Sequence, residues 1–165
     1  TETAIQYAAA VVEAGADALV IEDMMASLDM ISPRTYKALA APYETRLIAS
    51  IGKKIPVIIH ICGKLDQVMT DIAATGADAV SVESAVDIPA ARKKFDKAGV
   101  HTPILGAVHP IKALLEGTPE DVAAAVRKSV EDGAALVSPD CSVAPNTKLA
   151  NLIAMVDATE TLAEG

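Results

Sequence analysis

The chain has 165 residues, with 52% hydrophobic and 22% charged residues, so it is long enough for one globular domain and too apolar to be disordered. Aromatics make up only 2% and the net charge is −8; an acidic surface with few rings repels phosphate backbones and anionic membranes and lacks stacking platforms for single-stranded nucleic acid. No apolar run approaches the ~20 residues of a membrane span, Thr1 to Gln6 carries no secretory signal, and two cysteines are not a disulfide framework. A cytoplasmic location is expected.

The first element is a helix from about Thr3 to Glu13, with Ile5, Ala8, Ala9 and Val12 on one face and Gly15 as its stop. Asp17 to Ile21 reads as a buried strand closed by Glu22 and Asp23. The Met24-Met25 pair is expected to pack a loop. Ser32 and Pro33 open a helix that runs to about Ser50, Ile55 to Ile59 is a second strand, and a helix follows from about Leu65 to Ala74. Ala79 to Val82 is the third strand, followed by a helix from about Ile88 to Ala98. Pro103 to Val108 is the fourth strand. A short helix near Ile111 precedes one that begins at Thr118-Pro119-Glu120 and ends near Glu131. Ala135 to Ser138 is the fifth strand, and a last helix covers about Leu149 to Leu162.

Three segments repeat one theme, a glycine stop followed by a buried strand: Gly15-Ala16-Asp17, Gly76-Ala77-Asp78 and Gly133-Ala134-Ala135. This is the pattern of βα units around a parallel sheet. The reading is a single α/β domain over residues 1–165, the C-terminal part of a (β/α)8 barrel with about five βα units, since a full barrel takes ~250 residues. Unpaired sheet edges in such a unit invite association with another copy. A small open doubly wound sheet is the alternative, although the first strand–helix loop has no glycine-rich phosphate motif.

Sites in parallel βα folds form at the C-terminal ends of strands. Those ends carry Glu22-Asp23, His60-x-Cys62, Glu83 and Asp140-Cys141. Residues two apart on an extended chain face the same way, so His60 and Cys62 converge. Two thiols, an imidazole and a carboxylate fit a tetrahedral zinc site, with the carboxylate as the weakest ligand and the one an incoming thiol displaces. The plainer reading leaves both cysteines as small buried hydrophobes, His60 as a hydrogen-bonded core residue and Glu83 as a solvated loop acid. Asp140 reads as an outer partner of the site or a turn cap, Asp23 as a ligand-orienting or simply exposed acid, His101 as a surface residue, and Arg34 and Lys112 as solvated cations or partners for an anionic substrate group.

His60-Ile61-Cys62-Gly63, the strand from Gly76 to Glu83, Ile104-Leu105-Gly106-Ala107-Val108 and the run from Cys141 to Thr147 together resemble the uroporphyrinogen decarboxylase superfamily. Gly15-Ala16-Asp17 and the run from Leu28 to Pro33 match its middle region, so the resemblance covers essentially the whole chain. The His-x-Cys pair with a late cysteine is similar to its corrinoid-linked branch, the methylcobamide:coenzyme M methyltransferases. That resemblance implies zinc on His60, Cys62 and Cys141, with Glu83 as the acidic fourth ligand when no thiol is bound. It also implies a small thiol substrate and a methylated corrinoid protein as partner. A decarboxylase, a thiol methyltransferase with a folate donor, or a non-catalytic half-barrel are the other readings. His109 departs from the pattern, because relatives tend to carry Asn or Asp before the equivalent proline.

Overall fold

The computed structural model describes residues 1–163. Helix α1 (Glu2–Glu13) leads into strand β1 (Leu19–Glu22), which a 3-10 turn (Met24–Ala26) ends. Helices α2 (Pro33–Leu39) and α3 (Ala41–Ile51) precede β2 (Val57–His60), and α4 (Met69–Ala73) precedes β3 (Ala79–Ser81). Helix α5 (Ile88–Ala98) leads to β4 (Ile104–Leu105), a π-helical turn (Pro110–Leu115), α6 (Pro119–Glu131) and α7 (Leu149–Ala163). The four strands are parallel and lie in chain order, β1-β2-β3-β4. Among the described residues no helix is long and apolar enough to cross a membrane.

Local chemistry explains where the elements start and stop. Ser32 caps α2 by accepting from the Thr35 amide at 3.1 Å, Asp87 caps α5 through the Ala90 amide at 2.8 Å, and Thr118 and Asp121 form a reciprocal capping box on α6. The single helix expected from Pro33 to Ser50 is two helices that meet at Ala40. Pro42 has no amide proton to continue the first helix but fits the opening turn of the second. The helix expected from Leu65 is shorter and begins at Met69, after a turn closed by the Val68 amide on the Leu65 carbonyl at 2.8 Å. Asp66 in that turn is held by the neighbouring unit, accepting from the Asp87 amide at 3.3 Å.

The fourth strand is shorter than the expected Pro103–Val108 because Gly106, at φ 145°, bends the chain against β3. A Cβ at Gly106 would lie 2.8 Å from the Val82 carbonyl oxygen. The fifth strand is reduced to two parallel bridges, Leu105 with Leu136 and Val108 with Pro139. It still follows β4 in the same direction, so the βα succession runs through the whole chain.

The sheet has two unlike faces. Val57, Ile59, Val80 and Ile104 are fully buried against the helices in a cluster that includes Tyr36, Ile72 and Phe95. The alternate residues point the other way. Register places Glu22 beside His60 and His60 beside Ser81, with Leu105 next along, and that face is open: Val20 is 50% and Leu136 55% exposed. A second, separate cluster of Val108, Ala113, Leu114, Val122 and Val126 packs against Leu152 and Met155 of α7. Buried Asn151 ties α7 down by donating to the carbonyls of Leu114 and Gly117 at 2.8 and 2.9 Å.

One buried acid sits between α2 and α3. The Tyr36 hydroxyl donates to Glu44 Oε2 at 2.6 Å, while Glu44 Oε1 has no partner among the described residues. Burial is the main cause that lifts the Glu44 carboxyl from 4.5 to about 7; Asp23 adds to it and the Tyr36 bond opposes it. The unfolded chain therefore loses this proton at lower pH than the folded one. The stabilisation is complete below pH 4.5 and is lost as pH rises through about 7, to a total of about 3 kcal/mol. Denaturant unfolding at stepped pH should show this loss in the wild type and a flatter profile for Glu44→Gln; parallel profiles would refute the assignment.

Candidate metal centre

The C-terminal ends of β1, β2 and β3 and the segment after Ser138 surround an open cavity of about 340 Å³. Its wall includes Glu22, His60, Cys62, Ser81, Ser138 and Cys141. His60 is the last residue of β2, and Cys62 follows where the chain leaves the sheet, still on the same side. Cys141 comes from the fifth unit, 79 residues further on.

The three side chains meet. Cys62 Sγ lies 3.5 Å from His60 Nε2 and 3.8 Å from Cys141 Sγ, and all three donor atoms fall within 4.8 Å of one another. Both cysteines are free thiols. His60 Nδ1, on the far side of the ring, is 3.0 Å from Ser81 Oγ. Two sulfurs and an imidazole nitrogen at these separations can hold one metal ion. Burial, then the neighbouring Glu83 and Cys141, push the Cys62 thiol up to about 12, so without a metal it keeps its proton at neutral pH.

Glu83 lies beside Cys62 at the rim but outside the three-donor group. Its Oε2 accepts from the Gly63 amide at 2.9 Å, which ties the loop after β3 to the turn after Cys62. Gly63 has φ 73°, and a Cβ there would collide with the Asp29 carboxylate. Asp140 is buried and accepts from the Ser84 amide at 2.9 Å, so the residue before Cys141 is fastened to the residue after Glu83. Asp140 thus fastens a loop through a backbone amide; among the described residues its carboxylate makes no hydrogen bond to His60, Cys62 or Cys141.

Other candidates lie elsewhere. Asp23 lines a separate shallow pocket with Met25, Ile31 and Thr35. His101 is exposed ahead of β4, and neither Arg34 nor Lys112 borders the cavity. Met24 and Met25 do not pack a loop as expected: they are 56% and 64% exposed, and Met24 stands at the cavity wall. His109 accepts from the Ile111 and Lys112 amides at 3.2 and 3.4 Å, which is the capping task that Asn or Asp performs at such a position. It borders a groove with Lys112 and Asp121, away from the cavity. Sequence reasoning overlooked Ser81 and Ser138. Ser81 could have been found by aligning the strand ends, since it stands level with His60.

A parallel βα sheet with a thiol–imidazole group at its strand ends defines the class, a half-barrel of the (β/α)8 type with a candidate metal centre at its mouth. The chain belongs to the uroporphyrinogen decarboxylase (URO-D) family, whose model matches residues 1–162. It is 35% identical over 154 residues to the methylcobamide:CoM methyltransferase MtbA of Methanosarcina acetivorans, covering 93% of this chain and 44% of that protein. It is 34% identical over 160 residues to the methylcobamide:CoM methyltransferase MtaA of Methanosarcina barkeri, covering 97% of this chain and 46% of the relative. Among solved structures it superposes on a methyltransferase from Methanosarcina mazei with a TM-score of 0.88 at 30% identity, covering 98% of this chain and 47% of the other. The chain therefore spans about half the length of the relatives it matches.

Proposed function

We propose that this chain carries the zinc-binding half of a methyltransferase that moves a methyl group from a methylated corrinoid protein to a small thiol such as coenzyme M. One observation carries this reading. Two sulfurs each about 2.3 Å from a tetrahedral zinc stand about 3.8 Å apart, and a sulfur and an imidazole nitrogen about 3.5 Å apart. The Cys62–Cys141 and Cys62–His60 separations are 3.8 and 3.5 Å. The names of the MtbA and MtaA relatives support the same reaction.

In this reading His60, Cys62 and Cys141 are the protein ligands, and Glu83 supplies the fourth donor until the thiol arrives. Zinc, when bound, holds the substrate sulfur as a thiolate at neutral pH. The chain's own residues do the rest. The Asp140–Ser84 and Glu83–Gly63 hydrogen bonds hold the two loops that bring the ligands together. The open cavity admits a small thiol, and the exposed Met24 at its wall offers apolar contact to a donor protein. Methyl transfer breaks the carbon–cobalt bond and forms a carbon–sulfur bond, with the electron pair retained by cobalt as Co(I). Two unlinked thiols support a cytoplasmic setting. The exposed Val20 and Leu136 are covered by the other strands of a complete barrel or by a second copy.

A protein containing this chain within the whole barrel, given methylcobalamin and coenzyme M, should form the methyl thioether while the Co(I) absorbance appears. A zinc chelator should stop both. Product formation that is indifferent to chelation would overturn the metal reading, and turnover with uroporphyrinogen would favour the decarboxylase.

A further inference from the structure

We propose that Ser81 is a positioning residue for His60, fixing which imidazole nitrogen is offered to the metal. The inference rests on the metal reading above. Strands β2 and β3 pair in register with His60 opposite Ser81, so both side chains rise from neighbouring strands on the cavity face. Ser81 Oγ is 3.0 Å from His60 Nδ1, and Nε2 on the other side of the ring is 3.5 Å from Cys62 Sγ. Among the described residues Ser81 is the only protein partner found for Nδ1.

The backbone of His60 is held already. Its strand is paired on both sides, and its carbonyl accepts from the Asp23 amide at 3.0 Å. The ring is not held by those bonds. The torsion between Cβ and an imidazole is broad and two-fold, so a half-turn would exchange the positions of the nitrogen and carbon edges. A neutral imidazole that gives its Nε2 lone pair to a metal must carry its proton on Nδ1, and an outer acceptor on that N–H fixes both tautomer and orientation. In this chain the acceptor is the Ser81 hydroxyl. Threonine keeps that hydroxyl; alanine removes it while leaving the strand and its hydrogen bonds intact. Ser81 touches neither thiol nor donor in this scheme and acts through His60.

The test uses the complete protein and measures zinc affinity by competition with a chromogenic chelator. Ser81→Ala should bind zinc about 10–100-fold more weakly, and Ser81→Thr should stay within a few-fold of the wild type. Thermal unfolding of the metal-free Ser81→Ala protein should match that of the metal-free wild type, which separates positioning from a general loss of fold. Nitrogen-15 NMR of the zinc-loaded wild type should show His60 with a protonated Nδ1 and a metal-bound Nε2, a readout that needs no variant. Wild-type zinc affinity in Ser81→Ala, or metal bound through Nδ1, would overturn the proposal. Cys141→Ser serves as the control. If that variant loses zinc while Ser81→Ala does not, the proposal on Ser81 fails and the metal reading stands. If Cys141→Ser also keeps full affinity, the metal reading itself fails.

Discussion

Cys141→Ser is expected to lose stoichiometric zinc, with affinity falling by more than the ~10–100-fold that removal of an outer partner costs. The serine oxygen is a poor thiolate substitute, and of the three-donor group only His60 and Cys62, two residues apart, would remain beside the weak carboxylate donor Glu83. Cys62→Ser should behave alike. The same site predicts a pH dependence whose sign follows from the thiol. Burial first, then Glu83 and Cys141, hold the Cys62 proton up to about 12. Metal must expel that proton, so acid favours the metal-free protein and affinity rises with pH throughout the neutral range. The Cys62 proton alone makes the slope about tenfold per pH unit. Titration of the purified protein with zinc at stepped pH would check both points. Full zinc occupancy in Cys141→Ser, or an affinity flat between pH 6 and 8, would overturn the ligand assignment.

Thiol binding is expected to raise the number of sulfur neighbours of the metal from two to three, with the light-atom ligand supplied by Glu83 leaving. Glu83 is placed for this. It stands beside Cys62 at the rim and already has an alternative partner in the Gly63 amide, 2.9 Å away. Released from a metal, its carboxylate need not remain without a hydrogen bond. The entering thiol has an ordinary pKa near ~8.5 and must ionise, so about one proton should be released per site near neutral pH. X-ray absorption with and without coenzyme M, together with proton release in weak buffer, would measure these effects. An unchanged sulfur count on thiol addition would remove Glu83 from its proposed role.

The meeting of His60, Cys62 and Cys141 was legible in the sequence because it depends on strand ends, which glycine stops and apolar runs mark well. His60-x-Cys62 needed only the two-residue alternation of an extended chain. Cys141 could be brought to the same place because its strand follows the third copy of the glycine-and-strand theme. Less visible was whatever depends on neighbours across the sheet. Ser81 matters only because parallel register sets it opposite His60. The Asp140–Ser84 bond joins residues 56 apart, and no local pattern announces it. The elements that departed from expectation did so for backbone reasons. Pro42 divided one helix into two, and Gly106 bent the fourth strand where a longer apolar run suggested continuity. The weak fifth strand goes with the same bend: Leu105 before Gly106 and Val108 after it meet Leu136 and Pro139 only at isolated bridges.

The two apolar clusters have a consequence for the lifetime of a bound ion. His60 and Cys62 are rooted beside the larger cluster, next to Ile59 and Ile61, whereas Cys141 follows Val137, which packs on the smaller one. Each cluster can open as a separate cooperative unit with its own free energy. An ion held by all three donors bridges the two units and joins their fluctuations. Its escape rate would then follow the opening of whichever unit comes loose more often; the smaller one is held together internally by Asn151, which joins α7 to the Leu114 and Gly117 carbonyls. With a metal bound as proposed, its exchange would report local unfolding far from the cavity, on the side where α7 rests.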